Sequence, residues 1–195
     1  MTRQVQGALQ SARSGAGTLA ASVSILWAVH LVNTLLGGVL IGFGIVPRTA
    51  SGLYGILLAP FLHGSWSHLV LNSVSLVLLG AITMTRRRVD FYVVSVFGAL
   101  ASGLGTWLIG APGSVHVGAS GVIFAYLGFL MARGFFERSA SSIVLSALVT
   151  WFFGSMVWGV LPTVGPGISW EAHLFGFLGG VGAARLLGNR IRGKG

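Results

Sequence analysis

The chain has 195 residues, of which 54% are hydrophobic and only 8% are charged, and it contains no cysteine. Soluble domains carry roughly a quarter charged residues, so this composition excludes a soluble protein and indicates an integral membrane protein. The lack of cysteine excludes disulfides, thiolate metal sites and a cysteine nucleophile. The net charge of +9 comes from short basic clusters between apolar stretches, which membrane topology explains better than a nucleic-acid partner does.

The apolar stretches predict an all-α membrane domain of six transmembrane helices over residues 18–188. The first helix is predicted from Thr18 to Phe43, a stretch too long for a secretory signal sequence. A flexible cytoplasmic tail over residues 1–17 is expected before it, and a basic cytoplasmic tail over residues 189–195 after the last helix. The other five helices are predicted over residues 68–85, 91–109, 120–133, 140–161 and 170–187.

The segment between the first two helices, residues 44–66, is apolar but interrupted by prolines and glycines. Such a segment is too broken for a straight spanning helix. Because it is rich in Leu, Ile and Phe and carries one charge, Arg48, we expect a membrane-associated loop that lies half-submerged at the interface. This loop and the bulky fifth helix are candidates for a moving gate.

The basic residues indicate how the helices are oriented. Eleven of the twelve fall in segments that the six-helix topology places on one side, and Arg48 alone falls on the other. The positive-inside rule makes the first side cytoplasmic, together with both termini. The fourth helix, at fourteen residues or about 21 Å, is shorter than the ~30 Å hydrocarbon core, so its N-terminus is expected to begin below the outer surface.

Polar residues from three helices are predicted to meet near the outer side. Ser120 opens the fourth helix, His68 and Asn72 are four residues apart on one face of the second, and His173 lies one turn into the sixth. A serine hydroxyl needs a base, and either histidine can serve as one near pH 7. This convergence favours a catalytic site over interhelical packing alone.

No acidic residue is well placed to complete a triad with these groups. Asp90 and Glu137 fall on the cytoplasmic side, and Glu171 lies roughly opposite His173 on the same helix. The residues therefore support a Ser-His dyad at most. No His-Glu-x-x-His motif is present, which argues against a metal site or a small transporter built on the histidines.

Other polar residues have simpler expected roles. His30 and Asn33 in the first helix are expected to make interhelical hydrogen bonds, and His63 to brace the loop. His116 is expected to be an exposed loop histidine. Small residues on one face of the fourth and sixth helices predict close helix packing, and they include Gly121, Gly128, Gly176 and Gly180.

Three ordered motifs resemble the rhomboid intramembrane serine proteases. They are His63-Gly-Ser-Trp-Ser-His68-Leu-Val-Leu-Asn72, Gly118-Ala-Ser120-Gly121 and Ala172-His173-Leu-Phe-Gly176. The resemblance covers residues 45–187. It implies a bacterial, six-transmembrane protease of the plasma membrane that needs no cofactor or metal and cuts transmembrane protein substrates, with its active site open to the outer side.

The resemblance also implies residue roles. Ser120 would be the nucleophile and His173 the general base, while His68, Asn72 and the backbone at Gly118 and Ser120 would stabilise the oxyanion. Members of the family often carry a tyrosine one turn after the serine.

That position here is Phe124, which can stack on the base but donates no hydroxyl. A catalytically silent relative that binds or escorts membrane proteins is the alternative. The substrate and the oligomeric state are not predicted.

Overall fold

The computed structural model describes residues 3–165 and 167–192, and within them the chain is all-helical, with seven α-helices and no strand. The helices are α1 (Arg3–Leu35), α2 (Ala50–Leu58), α3 (Trp66–Met84), α4 (Arg88–Ile109), α5 (Ser120–Glu137), α6 (Ala140–Phe153) and α7 (Trp170–Arg192). Short 3-10 segments cover Val39–Phe43, Ala59–Phe61 and Gly154–Val160. The predicted all-α class is confirmed.

Five of these helical segments are long and apolar enough to cross a membrane. They are Ala12–Leu35, Trp66–Met84, Arg88–Ile109, Ser120–Glu137 and Ala140–Val160. The sixth predicted span, α7, has 23 residues but is not among them. Its polar residues, including Glu171, His173 and Arg185, lower its mean hydropathy.

The first helix differs from the prediction at both ends. It begins at Arg3, so residues 3–17 are helical where a flexible tail was expected. It ends at Leu35 and not at Phe43, because Gly37 and Gly38 take positive φ values of 69° and 89° that terminate an α-helix. At the other end of the chain, α7 continues to Arg192 through the start of the predicted basic tail; residues 1, 2 and 193–195 lie outside the described residues.

Helix α5 is the centre of the bundle and is longer than predicted. It extends four residues past Arg133 to Glu137, because these two side chains form a buried ion pair one turn apart, with 3.0 Å between Arg133 Nε and Glu137 Oε1. Eighteen residues give about 27 Å, close to the thickness of the hydrocarbon core. The length of α5 alone therefore does not require its N-terminus to begin deep in the membrane.

Glycines let α7 pack closely against α5. An added Cβ at Gly176 would collide with the carbonyl of Gly121, and one at Gly128 would collide with the carbonyl of Phe177. Only a hydrogen atom fits at such helix crossings, as small-residue packing in membranes requires. This contact brings the N-terminal turns of α5 and α7 together at one end of the bundle.

The segment between α1 and α3 folds against the bundle and exposes an apolar face. Helix α2 is capped by Thr49, whose hydroxyl accepts a hydrogen bond from Gly52 N at 3.0 Å. Its inner face packs on α4 through Ile56, which lies against Gly103. Its outer face exposes Tyr54 and neighbouring leucines. The predicted loop thus contains a short apolar helix.

Candidate active site

The loop before α5 is tied to the segment between α1 and α3. Ile45 and His116 exchange two backbone hydrogen bonds of 2.9 Å, and Gly118 N donates to Ala59 O at 2.8 Å. Gly118 has φ 121°, a region that side chains other than glycine rarely adopt. These bonds fix the chain two residues before Ser120, which is the first residue of α5.

His68 and Asn72 lie directly beside Gly118. A Cβ added to Gly118 would be 2.6 Å from ring atoms of His68 and 3.4 Å from Asn72 Nδ2. Asn72 is buried, and its Nδ2 has no hydrogen-bond partner within the described part of the chain. A buried amide donor normally has an acceptor, so this one is available to a group that enters beside Ser120.

The ring of His173 is held in one orientation. Its Nδ1 lies 2.9 Å from the carbonyl oxygen of Gly159, in the 3-10 segment after α6. Because a carbonyl oxygen can only accept, Nδ1 carries the proton and Nε2 of the neutral ring has a free lone pair. The hydrogen bond therefore sets the tautomer that a general base needs.

Phe124 stacks on this ring. The two ring centroids are 4.0 Å apart and the ring planes differ by 6°. Phe124 lies one turn after Ser120 on α5, so the stack fixes His173 of α7 relative to the helix that begins with the serine. Gly159 has to be small, because an added Cβ would lie 2.8 Å from Phe124 Cζ.

A narrow cavity reaches Ser120. It holds about 20 Å³, room for roughly one water molecule, and its lining includes Gly118, Ser120, Ser102 and Ala172. Among the described residues no hydrogen bond joins the Ser120 hydroxyl to His173. Catalytic hydrogen bonds are often long without substrate and tighten when it binds.

The acidic residues lie where the sequence placed them relative to the serine. The Glu171 carboxylate accepts the Ser169 hydroxyl at 3.2 Å, and no hydrogen bond within residues 3–165 and 167–192 links it to His173. Asp90 and Glu137 pair with arginines at the opposite end of the bundle. Within the described ranges, no cluster of three or more His, Cys, Asp or Glu side chains could hold a metal ion.

Comparison with known proteins identifies the family. The sequence model of the Rhomboid domain matches residues 50–190 of the chain. The chain belongs to the rhomboid family. An uncharacterized protein of Mycobacterium tuberculosis strain H37Rv is 38% identical over 180 residues, covering 89% of this chain and 75% of the relative.

Two further relatives match most of the chain. An uncharacterized Mycobacterium leprae protein is 36% identical over 180 residues, which is 89% of this chain and 71% of that protein. A Bacillus subtilis protein named as a putative rhomboid protease is 29% identical over 133 residues, with 67% of this chain and 66% of that protein covered. The predicted resemblance is confirmed, and the rhomboid chain is an integral membrane protein.

Two histidines outside the candidate site, His63 and His30, differ in their surroundings. His63 of this rhomboid is 1% exposed and packs edge-on against His68, with 5.1 Å between ring centroids. Burial, and secondarily the nearby His68, lowers the pKa of His63 to about 4, so it is neutral near pH 7. His30 does not make the predicted interhelical hydrogen bond. It packs edge-on against Trp66, with 4.4 Å between the ring centroids, and its Nδ1 has no hydrogen-bond partner among the described residues.

Two other expectations about polar residues are wrong. Among the described residues, Asn33 makes no hydrogen bond to another α-helix: its Oδ1 accepts Leu40 N at 2.9 Å, in the 3-10 segment just beyond the end of α1. His116 is not an exposed loop histidine. Its ring is half-buried, with Nε2 2.7 Å from Ser114 Oγ and Nδ1 2.8 Å from Ser169 Oγ.

Sequence reasoning missed two residues of the rhomboid site, Gly159 and Ser169. Gly159 orients His173 through a carbonyl, which every residue carries, so no residue-type signal marks it. Ser169 left a signal that could have been used: a serine directly before a predicted helix is a typical N-cap. Its hydroxyl accepts Ala172 N at 3.3 Å.

Proposed function

We propose that the chain is an intramembrane serine protease that hydrolyses peptide bonds in or near the transmembrane helices of membrane-protein substrates. Ser120 is the nucleophile and His173 is the general base of a dyad. The observation that carries this proposal is the His173 ring, which Gly159 and Phe124 hold with a free Nε2 at the end of the bundle where α5 begins with a serine. Rhomboid family membership supports the same reaction class.

The reaction follows from these groups. His173 Nε2 accepts the proton of Ser120 Oγ as this oxygen attacks the scissile carbonyl carbon. The protonated ring then gives that proton to the leaving amine, and an acyl-enzyme ester remains on Ser120. A water molecule, deprotonated by the same nitrogen, attacks the ester and releases the second product.

The developing oxyanion needs hydrogen-bond donors. The unpartnered Nδ2 of Asn72 and the ring of His68 lie beside Gly118, two residues before Ser120. The predicted role of the Gly118 N–H as a donor is wrong, because this N–H already donates to Ala59 O at 2.8 Å. The N–H of Ser120 is one of the free donors of a helix N-terminus, where the helix dipole also favours negative charge. Such preorganised donors contribute most when water is excluded.

The Gly159 carbonyl performs part of the work of a triad carboxylate. It selects the tautomer and orientation of His173 but carries no full negative charge. His173 therefore relies on stacking with Phe124 and on its fixed orientation. Its imidazolium form is stabilised less than in a triad, because no carboxylate among the described residues is hydrogen-bonded to it.

We propose α7 as the sixth span, with both termini in the cytoplasm of a bacterial cell and the site open to the outer side of the plasma membrane. Its 23 residues make about 34 Å, enough to cross the hydrocarbon core. Support for the orientation comes from the basic residues, eleven of which lie on the opposite side from Arg48.

Substrate helices enter from the side, past one of two candidate gates: α6, or the segment between α1 and α3. Trp151 and Phe152 of α6 are 83% and 69% exposed, and α6 contacts the rest of the bundle mainly through α5. A helix hides its carbonyls in hydrogen bonds, so favoured substrates carry helix-weakening residues near the outer surface. A cross-link that joins α6 to its neighbour α5, or α2 to its neighbour α4, should abolish cleavage of membrane substrates. Full activity of a cross-linked protein would reject the gate that it restrains.

The test of the proposed function is covalent labelling of Ser120. Purified protein in detergent or liposomes is treated with a fluorophosphonate probe and assayed on a transmembrane reporter substrate, with Ser120→Ala as the matched control. Labelling and cleavage that both vanish in the control support the protease. Folded wild type that neither labels nor cleaves contradicts it.

The same experiment decides the alternative, a catalytically silent rhomboid that binds or escorts membrane proteins. The lack of a direct hydrogen bond between Ser120 and His173 in the described residues favours this candidate. It predicts that the wild type and Ser120→Ala retain equal amounts of a membrane-protein partner and that neither cuts it.

A further inference from the structure

A hydrogen-bonded chain of four side chains crosses between the two segments that carry the dyad. Ser114 and His116 belong to the loop before α5, and Ser169 and Glu171 belong to the start of α7. The distances are 2.7 Å from Ser114 Oγ to His116 Nε2, 2.8 Å from His116 Nδ1 to Ser169 Oγ, and 3.2 Å from Ser169 Oγ to Glu171 Oε2. We call these four residues the outer relay.

The number of protons on each side chain determines which atom donates in each hydrogen bond of the outer relay. Each serine hydroxyl has one proton, and the Ser169 hydroxyl is best used on the Glu171 carboxylate, because a charged acceptor makes the stronger bond. Ser169 Oγ then accepts from His116 Nδ1, which is the protonated nitrogen. The Ser114 proton serves either His116 Nε2 or the Ala111 carbonyl oxygen, 2.6 Å away.

The charge state of His116 agrees with this arrangement. Burial lowers the pKa of His116 below its ordinary value, and Glu171 opposes the shift only in part. The ring is therefore neutral near pH 7 and has a single proton to give. If Nε2 gains a proton in acid, Ser114 turns to the Ala111 carbonyl, and the bond from Nδ1 to Ser169 is unchanged.

Both ends of the outer relay connect to the site. On one side, the His116 backbone is bonded to Ile45, and Ser120 follows four residues later. On the other side, Ser169 caps α7: its hydroxyl accepts Ala172 N, and its carbonyl accepts His173 N at 3.2 Å. The bond between His116 and Ser169 is thus a direct polar link from the serine's segment to the histidine's first turn.

We propose that His116 is a positioning residue that, through Ser169, fixes the first turn of α7 against the loop before Ser120. This role rests on the proposed function. It acts on the distance between the nucleophile and the base, so it should affect turnover and leave substrate binding nearly unchanged, since errors of about 1 Å in such distances cost up to about a hundredfold in rate.

Two matched variants test separately the two side-chain hydrogen bonds of His116, one to Ser169 and one to Ser114. In His116→Asn, the side-chain amide nitrogen occupies the place of Nδ1 and can still donate to Ser169. In His116→Gln, the amide reaches the place of Nε2, so it keeps the bond to Ser114 and loses the one to Ser169. Both variants replace the ring by an amide.

We expect kcat of His116→Gln to fall about tenfold with KM within about twofold of wild type. His116→Asn should keep at least about half of the wild-type kcat. Ser169→Ala should also lose activity, and the double variant His116→Gln/Ser169→Ala should be no slower than Ser169→Ala alone. Equal activities of the Asn and Gln variants, or additive losses in the double variant, would overturn the inference.

A second pair of variants and the wild-type protein distinguish a loss of folding from a loss of catalysis. Thermal unfolding in detergent is measured for every variant. If His116→Gln does not fold, Ser169→Thr against Ser169→Ala asks the same question, because threonine keeps the hydroxyl; equal turnover of these two contradicts the outer relay. If the wild type neither labels nor cleaves, both the proposed function and the positioning role of His116 are rejected. If the wild type is active and the His116→Asn and His116→Gln variants have equal activity, only the positioning role is rejected.

Discussion

The two ends of the bundle treat polar side chains in opposite ways. At the end where α5 finishes, Glu137 pairs with Arg133 at 3.0 Å and with Arg86 at 2.5 Å. At the end where α5 begins, the described residues form no ion pair, and Asn72 keeps a buried donor without a partner there. The difference teaches that one end uses ion pairs to hold helices together, and the other leaves a buried donor available for a reacting group.

The largest expected effect is a loss of activity on substitution at the end where α5 begins. Ser120→Ala and His173→Ala should each abolish cleavage, a loss of roughly 10⁶-fold in related catalytic units, because no other described side chain combines their roles. Unfolding temperatures should stay close to wild type. Cleavage of a transmembrane reporter and thermal unfolding are measured side by side. Full activity in Ser120→Ala would refute the assignment of Ser120 as the nucleophile.

The next effect is on stability at the paired end. Glu137→Gln leaves Arg133 buried with no counter-charge, so the free energy of unfolding should fall by about 3 kcal/mol. The charged side chains of this pair are almost fully buried, at 5% and 3% exposure for Arg133 and Glu137. Denaturation in mixed micelles measures the loss.

The rate per labelled Ser120 should stay near wild type in this variant. Arg86→Gln is the milder control, because the Arg86 side chain is 36% exposed and its pair with Glu137 is screened by solvent. A large drop in turnover per active site, with stability unchanged, would contradict the separation of the two ends.

Asn72→Ala sharpens the comparison from the catalytic end. Removing one oxyanion donor typically costs about 3 kcal/mol of transition-state stabilisation, or roughly a hundredfold in kcat. Stability should be unchanged or slightly raised, because the deleted Nδ2 has no partner to lose within the described residues. Steady-state kinetics and thermal unfolding test this together, and a variant that unfolds without a specific loss of kcat would make Asn72 a structural residue.

The smallest effect concerns the stack on His173. Phe124→Leu removes a parallel ring contact of 4.0 Å, worth about 1 kcal/mol, and kcat should fall by a factor of about five. Phe124→Tyr, which keeps an aromatic ring at this position, should retain activity. Equal kcat for the Leu variant and the wild type would show that Gly159 alone orients the base.

Much of the architecture could be predicted from the sequence. Helices α3 and α4 begin and end within three residues of their predicted bounds, because apolar length and flanking arginines define a span locally. The bounds of α1 were less predictable. The positive φ of Gly37 and Gly38 ended it early, and apolar composition continues across that turn.

The groups of the candidate site were predictable to different degrees. Ser120, His68, Asn72 and His173 stand out because polar side chains are rare in such apolar helices. His116 was expected to be exposed, because its partner Ser169 lies 53 residues away in sequence and could not be recognised from the residues around His116. Long-range hydrogen bonds of this kind leave no periodicity or composition signal.

The sequence by itself determined that the chain is helical and membrane-embedded, which rhomboid motifs it carries, and which side chains can do acid–base chemistry. Only the tertiary structure decided how they are held: the tautomer of His173 depends on the Gly159 carbonyl, and its plane on Phe124. The physical reason is the range of the forces involved. Burial in lipid acts on each helix separately, whereas the direction of a hydrogen bond or a ring stack depends on which backbone atoms another helix brings within about 3–4 Å.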